Sequence, residues 1–385
     1  MFNFEYQNTT KIIFGKDQIS ALTDQIDPSK KILITYGGGS IKANGVYDQV
    51  MKALASHDVL TFGGIEPNPT YETLMQAVTL ARKENVDFLL AVGGGSVVDG
   101  TKFIAAAIPF TGEDPWDMLA KRVPVEGAVP MGCVLTLPAT GSESNIGAVV
   151  TRKETKDKLA LMHPLLRPLF AVLDPVTTMS LPEKQVSNGV VDAFVHTMEQ
   201  YVTYPVNAAV QDRFAEGLLQ TLIEEGPKAL AEPENYDVRA NVMWAATWAL
   251  NGMIGAGVPQ DWATHMIGHE LTALYGIDHA RTLAIVLPAL LQHQKDVKKA
   301  KLLQFAERVW QINEGTDEAR IALAISKTQD FFESLKVPTR LSAYELGDAD
   351  IEAIINKLEA HGMTKLGEHG AIGLTEAKEI LALAK

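Results

Sequence analysis

At 385 residues, 46% of them apolar, the chain is long enough to bury more than one core and is expected to form about two domains. A net charge of −13 works against nonspecific binding to nucleic acid or to anionic membrane. The single cysteine, Cys133, excludes an intrachain disulfide and any cysteine-rich zinc site, and its apolar surroundings suit a buried structural thiol.

No apolar run approaches the length that spans a bilayer. The opening MFNFEYQNTTKIIFG has no basic start, apolar stretch or small-residue cleavage site, so no signal peptide and a cytoplasmic, reducing location are expected. Thr10–Gly15 reads as a short strand, followed by a helix from Asp17. Lys30–Tyr36 is an apolar run closed by three glycines, the pattern of a buried parallel strand, and a helix follows from about Ile41. Asp58–Phe62 is the next strand. Asn68 and Pro69 then open a helix as cap and first-turn residue. Asp87–Val92 is a second buried strand ending in glycines, with Ser96 placed to cap the helix after it. Val129–Leu135 and Leu169–Leu173 complete this half. Strands alternating with helices imply a mostly parallel sheet covered on both faces.

From Leu181 onward helical periodicity takes over, at Val190–Val202, Gln211–Ile223, Asp237–Asn251, Asp261–Leu274, Thr282–His293, Leu302–Gln311 and Asp317–Leu335. The basic run Lys295–Lys301 reads as the solvated face of a helix. A boundary near Thr178–Pro182 divides the chain into an α/β nucleotide domain, residues 1–180, and an all-helical domain, residues 181–385. Clefts between such domains are common ligand sites.

GGGS occurs twice, as Gly37, Gly38, Gly39 and Ser40 and as Gly93, Gly94, Gly95 and Ser96, each time where a buried strand hands over to a helix. Glycine there lets a phosphate approach the backbone amides, although it also makes ordinary tight turns. Neither stretch fits G-x-G-x-x-G. The second is followed by Asp99 and Lys102. A third loop, Thr136–Asn145, offers hydroxyls and glycine at a strand end, suited either to ribose and amide contacts or to a plain polar turn.

The helical half holds Asp192 and His196 at a four-residue spacing within an apolar helix, where a carboxylate is costly unless paired or bound to a cation. His265 and His269 repeat that spacing, and His279 follows beyond Gly276. Spacing alone makes His265 and His269 joint candidates for a zinc or ferrous site. HMIGHE is not H-E-x-x-H, so the zinc-protease motif is absent. His57, His163, His293, His361 and His369 have no partner at ligand spacing and read as surface or incidental.

TKIIFGK, GGGSVVDGTKFIA, TLPATGSES, GVVDAFVHTMEQY and VPQDWATHMIGHELTALYGIDHARTLAIVLP are long and specific. Through them essentially the whole chain resembles the iron-containing, group III alcohol dehydrogenases, in particular their NADPH-dependent aldehyde reductases and butanol dehydrogenases. The resemblance implies an α/β dinucleotide-binding domain joined to an all-helical metal-binding domain, the dehydroquinate-synthase-like fold. It places the metal ligands on Asp192, His196, His265 and His279. His269 then falls beside the nicotinamide and metal, as a candidate proton relay or a structural neighbour. Cofactor positions fall on Gly37–Ser40, Gly93–Ser96, Asp99, Thr136 and Thr140, with Lys158 near the nicotinamide ribose.

NAD-linked relatives carry an acidic residue at the end of the strand matching Lys31–Tyr36. Gly37 stands there in this chain, with Ser40 and Lys42 nearby, which favours NADP(H). The expected reaction is hydride transfer between NADP(H) and small aldehydes or primary alcohols, aided by one divalent ion, zinc before iron, in a homodimer. Trp262, Met253 and Ile146 offer apolar surface for a substrate or for the core, and Asn145 a polar contact. Glycerol-type dehydrogenases, dehydroquinate synthases and a silent NADPH-binding sensor are the alternatives. Gly37 argues against the first, the second needs a basic phosphate-binding substrate site, and a complete ligand set argues against the third.

Overall fold

The computed structural model describes residues 1–385. Their contacts define two compact units: one comprises Gln7–Leu181 and Pro233–Thr247, the other Met1–Tyr6, Pro182–Glu232 and Trp248–Lys385. Relative to a division at residue 180, Met1–Tyr6 groups with the helical unit and Pro233–Thr247 with the α/β unit.

The α/β unit carries strands β1 (Lys11–Phe14), β2 (Lys31–Tyr36), β3 (Asp58–Phe62), β4 (Phe88–Gly94), β5 (Met131–Leu137), β6 (Gly147–Arg152), β7 (Asp157–Met162) and β8 (Phe170–Leu173). Six form one sheet in the order β1-β8-β5-β4-β2-β3, with every pair parallel. Successive residues of each strand face opposite sides, so Ile32, Ile34, Leu90, Val92 and Val134 build one core and Leu33, Leu89, Ala91, Cys133 and Leu135 the other. Burial on both faces is why these strands read as continuous apolar runs. Helices α1 (Ser40–Ala43), α2 (Val46–Ala53), α3 (Tyr71–Glu84), α4 (Gly95–Ala107) and α5 (Asp117–Ala120) lie among them.

Two local expectations are corrected, and one hairpin adds to the elements expected from the sequence. β6 and β7 form an antiparallel hairpin, hidden in the sequence because its strands carry Arg152, Asp157 and Lys158 and leave Ala160 and Met162 exposed. The segment after Asp17 is a 3-10 helix, Gln18–Asp24, entered through a left-handed Asp17 at φ 62°. Helix α3 starts at Tyr71, not at Pro69: Asn68 adopts φ 56° and lies outside the helix.

The helical unit contains α6 (Glu183–Tyr201), α7 (Ala209–Ala231), the end of α8 (Tyr236–Ala249), α9 (Ala263–Tyr275), α10 (His279–His293), α11 (Lys299–Arg308), α12 (Asp317–Ser334), α13 (Asp348–Ala360) and α14 (Leu374–Leu383). The last two lie outside the helical segments expected from the sequence. Helix α9 stops at Gly276, whose φ of 68° suits glycine and whose N–H returns to the Thr272 carbonyl at 2.9 Å. The basic run before α11 is not a solvated face. Lys298 and Lys301 are 2% and 5% exposed, Lys298 held by Asp261 and Glu368 and Lys301 by Asp212. No helix is long and apolar enough to cross a membrane.

Candidate functional site

In the α/β unit the two glycine loops have different physical roles. A Cβ on Gly38 or Gly39 would meet nothing within 4 Å, and Gly39 holds φ 100° at the entry to α1. That loop offers backbone to open space, as a phosphate cradle must. A Cβ on Gly93 would instead press on the Val97 side chain at 2.6 Å, on Gly94 on Leu137 at 2.9 Å, and on Gly95 on Thr140 at 2.4 Å. There the absent side chain lets β4, α4 and the loop after β5 pack together. Ser96 does not cap α4; its Oγ accepts the Asn68 N–H at 3.2 Å.

Lys158, 7% exposed on β7, donates to Asn68 Oδ1 at 2.9 Å. Asn68, outside the expected site, thus joins Lys158 to Ser96. Asp99 accepts from Ser142 Oγ at 2.5 Å and from the Val149 N–H at 2.9 Å, so both its oxygens brace the scaffold. Thr136 is 8% exposed at the end of β5, and Thr140 Oγ1 accepts the Ser142 N–H at 3.2 Å. Lys42 lies over the rings of Tyr36 and Tyr47, at 4.9 and 5.1 Å. Cys133 is wholly buried, and burial pushes its thiol well above the ordinary range, as befits an inert thiol.

Lys102, also wholly buried, donates to Asn145 Oδ1 at 2.9 Å and to the Gly147 carbonyl at 2.7 Å. Asn145 is thereby engaged by the scaffold. Burial lowers the Lys102 ammonium from 10.5 to about 8, against the pull of Asp99. Below about 8 the lysine is charged in both states and the fold bears its desolvation. Between that value and 10.5 only the unfolded chain keeps the proton, so stability is expected to rise with pH through this window. Denaturant midpoints at about pH 7.5 and 9.5 should show a smaller rise in Lys102→Met than in the parent; equal rises would exclude Lys102 as the cause.

The helical unit gathers the second set of candidates. Asp192 and His196 lie one turn apart on α6, His265 and His269 one turn apart on α9, and His279 is the first residue of α10. The ligand atoms of Asp192, His265 and His279 all fall within 4.8 Å of one another. His279 Nε2 is 3.6 Å from Asp192 Oδ1. His196 stands beside this trio, its Nε2 3.7 Å from Asp192 Oδ1 and its ring stacked on His265 at 4.7 Å between centroids. Burial, then the neighbouring His265, holds the His196 imidazole well below its usual range, which leaves it neutral and able to donate a lone pair. His269 is 7% exposed, with its ring centroid 5.3 Å from that of His279 and 6.2 Å from that of His265, and it is not one of the converging three.

The donor chemistry fits a divalent cation. Asp192 is 2% exposed, a position in which a carboxylate needs compensation. His265 Nε2 is buried with no hydrogen-bond partner while its Nδ1 meets the carboxylate of Glu199, so Nε2 is the nitrogen left to coordinate an ion. Glu199 was missed from the sequence. Its signal was the position seven residues after Asp192, which repeats the same helical face.

The five remaining histidines all have structural partners: His57 Nε2 meets the Ile26 carbonyl at 3.0 Å, and His163 Nδ1 accepts the Leu165 N–H at 3.3 Å. His361 is not a surface residue: its Nδ1 lies 2.6 Å from Glu270 Oε1, which ties the end of α13 to α9. His293 pairs with Glu379 at 2.8 Å, and His369 stacks on Tyr204 with centroids 4.6 Å apart.

Known proteins match this chain over almost its whole length. The family described as iron-containing alcohol dehydrogenase matches residues 9–175, and the C-terminal part of the Fe-containing alcohol dehydrogenase family matches residues 186–373. The NADPH-dependent aldehyde reductase YqhD of Escherichia coli K12 is 64% identical, with all of both chains covered. A crystal structure of E. coli K-12 YqhD superposes with a TM-score of 0.99 at 63% identity, covering 100% of this chain and 99% of that one. A probable NADH-dependent butanol dehydrogenase of Bacillus subtilis is 43% identical over 94% of this chain and 95% of its own length.

Proposed function

Because the chain belongs to the iron-containing alcohol dehydrogenase family, it is a metal-dependent oxidoreductase of the alcohol dehydrogenase type, and we propose that it works as a broad-specificity, NADPH-dependent aldehyde reductase on small aldehydes, reversibly with primary alcohols. Asp192, His265 and His279 would hold one divalent ion, with His196 as the fourth ligand. One carboxylate and three imidazoles suit zinc and ferrous iron alike. Zinc is proposed before iron on the resemblance to the aldehyde-reductase branch.

When bound, the ion supplies Lewis-acid polarisation of the substrate oxygen and the nicotinamide supplies the hydride. The chain's own groups do the rest. Gly37, Gly38, Gly39 and Ser40 are proposed to cradle the adenosine end, and the absence of a carboxylate at Gly37 leaves room for a 2′-phosphate. Gly93, Gly94, Gly95, Ser96, Asp99, Thr136 and Thr140 would shape the pyrophosphate and nicotinamide end. Lys158, held at Asn68, would reach the nicotinamide ribose. His269 is the proposed proton carrier, since it is a buried imidazole one turn from His265. A cytoplasmic homodimer completes the reading, supported by the single reduced cysteine and the family resemblance.

The observation that carries this reading is the convergence of Asp192, His265 and His279 in a chain with an open glycine cradle. NADPH consumption with butanal should be lost on chelation, return with zinc or ferrous iron, and exceed NADH consumption about tenfold or more, the scale of one hydrogen bond to a charged phosphate. Absence of metal-dependent turnover with every short aldehyde would sink the proposal.

A further inference from the structure

The start of α9 is built in an unusual way. Trp262 precedes its first residue, adopts φ 62° and makes no side-chain cap. A bulky residue in that region is strained and persists only where its surroundings over-determine it. Here two buried carboxylates do so. Asp261 Oδ1 accepts the Ala263 N–H at 2.9 Å, while its Oδ2 meets Lys298 Nζ at 2.8 Å, and Lys298 also meets Glu368 Oε1 at 2.6 Å.

The second carboxylate comes from a different helix. Glu199, 2% exposed on α6, uses Oε1 to accept the N–H groups of Thr264 at 2.7 Å and His265 at 3.3 Å. Its Oε2 meets the ring Nδ1 of His265. Its backbone carbonyl accepts the Asp261 N–H at 2.9 Å. One side chain thus satisfies the free amides of a helix end and grips the imidazole that the helix carries.

A carboxylate accepts and does not donate, so the imidazole must present Nδ1–H to it. The lone pair is then on Nε2, the buried nitrogen without a hydrogen-bond partner. We propose that Glu199 is the positioning residue of the ion site: it selects the ligating tautomer of His265 and, through the same carboxylate, sets the rotation of α9 that aims the ring. The inference rests on the reading of His265 as an ion ligand.

Glu199→Gln tests it on the full-length protein. A carboxamide has one acceptor oxygen and one NH2 where the carboxylate has two acceptors. With its oxygen kept on the Thr264 and His265 amides, its NH2 faces Nδ1 and moves the ring proton to Nε2, where the ion would sit. Zinc affinity, measured by competition with a chromophoric chelator, is expected to fall about 10- to 100-fold. The visible spectrum of the cobalt-loaded protein should change with it. Zinc should then raise the Tm of the variant less than that of the parent at equal free zinc. If Glu199→Gln binds zinc as the parent does while His265→Ala loses it, the positioning role is overturned and the ligand assignment stands. If His265→Ala keeps the ion, both are overturned. Should Glu199→Gln fail to fold, nitrogen-15 histidine spectra of the ion-free parent decide: His265 is expected as the Nδ1–H tautomer, and the Nε2–H tautomer would refute the proposal.

Discussion

Replacing Gly37 with aspartate is expected to turn the enzyme from NADPH toward NADH. The residue follows β2, and a Cβ there would lie 3.3 Å from the Ile65 carbonyl and 3.7 Å from Val97 Cγ2, at a backbone angle open to L-residues. A side chain therefore fits with a shift of a few tenths of an ångström. An aspartate carboxylate about 4 Å from a 2′-phosphate is repelled by roughly 4 kcal/mol at an effective dielectric near 20. Solvent and salt reduce this, so kcat/KM for NADPH should fall about 100-fold. With NADH the carboxylate can instead accept the 2′-hydroxyl, a gain of about 1 kcal/mol or fivefold. Both constants should be measured with butanal at one ionic strength. A ratio unchanged in Gly37→Asp would end the argument that this position selects the cofactor.

Of the two histidines that flank His265, only His279 is expected to be needed for the ion. Its Nε2 lies 3.6 Å from Asp192 Oδ1, and its ligand atom belongs to the converging set with Asp192 and His265. His279→Ala leaves two members of that trio, so the dialysed protein should lose its ion and turnover should drop about 1,000-fold or more, consistent with loss of Lewis-acid catalysis. His269→Ala should keep a stoichiometric ion and lose about 100-fold in kcat, the scale of a proton-transfer contribution. Metal analysis of the two proteins beside their kcat values separates the roles. Loss of the ion from His269→Ala with retention in His279→Ala would reverse the assignment.

Spacing by itself favoured His265 with His269, because residues four apart share a helical face. The structure places both on α9 as that spacing implies, yet it brings His279 from the next helix to Asp192 and leaves His269 outside the trio. Shared face is a property of one helix. Convergence is a property of several, and Gly276 creates it here by ending α9 so that α10 can begin at His279. The basic run Lys295–Lys301 misled for a related reason. Charge suggests solvent, but Lys298 is buried because Asp261 and Glu368 are buried with it.

The amino-acid sequence alone determined the alternation of parallel strands and helices, the helical second half, the glycine loops at strand ends and the carboxylate and imidazole types at Asp192, His196, His265 and His279. These are local periodicities and compositions, set by which faces of a strand or helix must leave water. Tertiary structure alone decided which glycine loop is open and which is filled by Val97, Leu137 and Thr140. It also decided that Asn68 leaves its helix to hold Lys158, and that Glu199 reaches across 66 residues of chain to His265. Each of those outcomes depends on a partner far away in sequence, and a buried polar group is placed by the partner that satisfies it, not by the pattern around it.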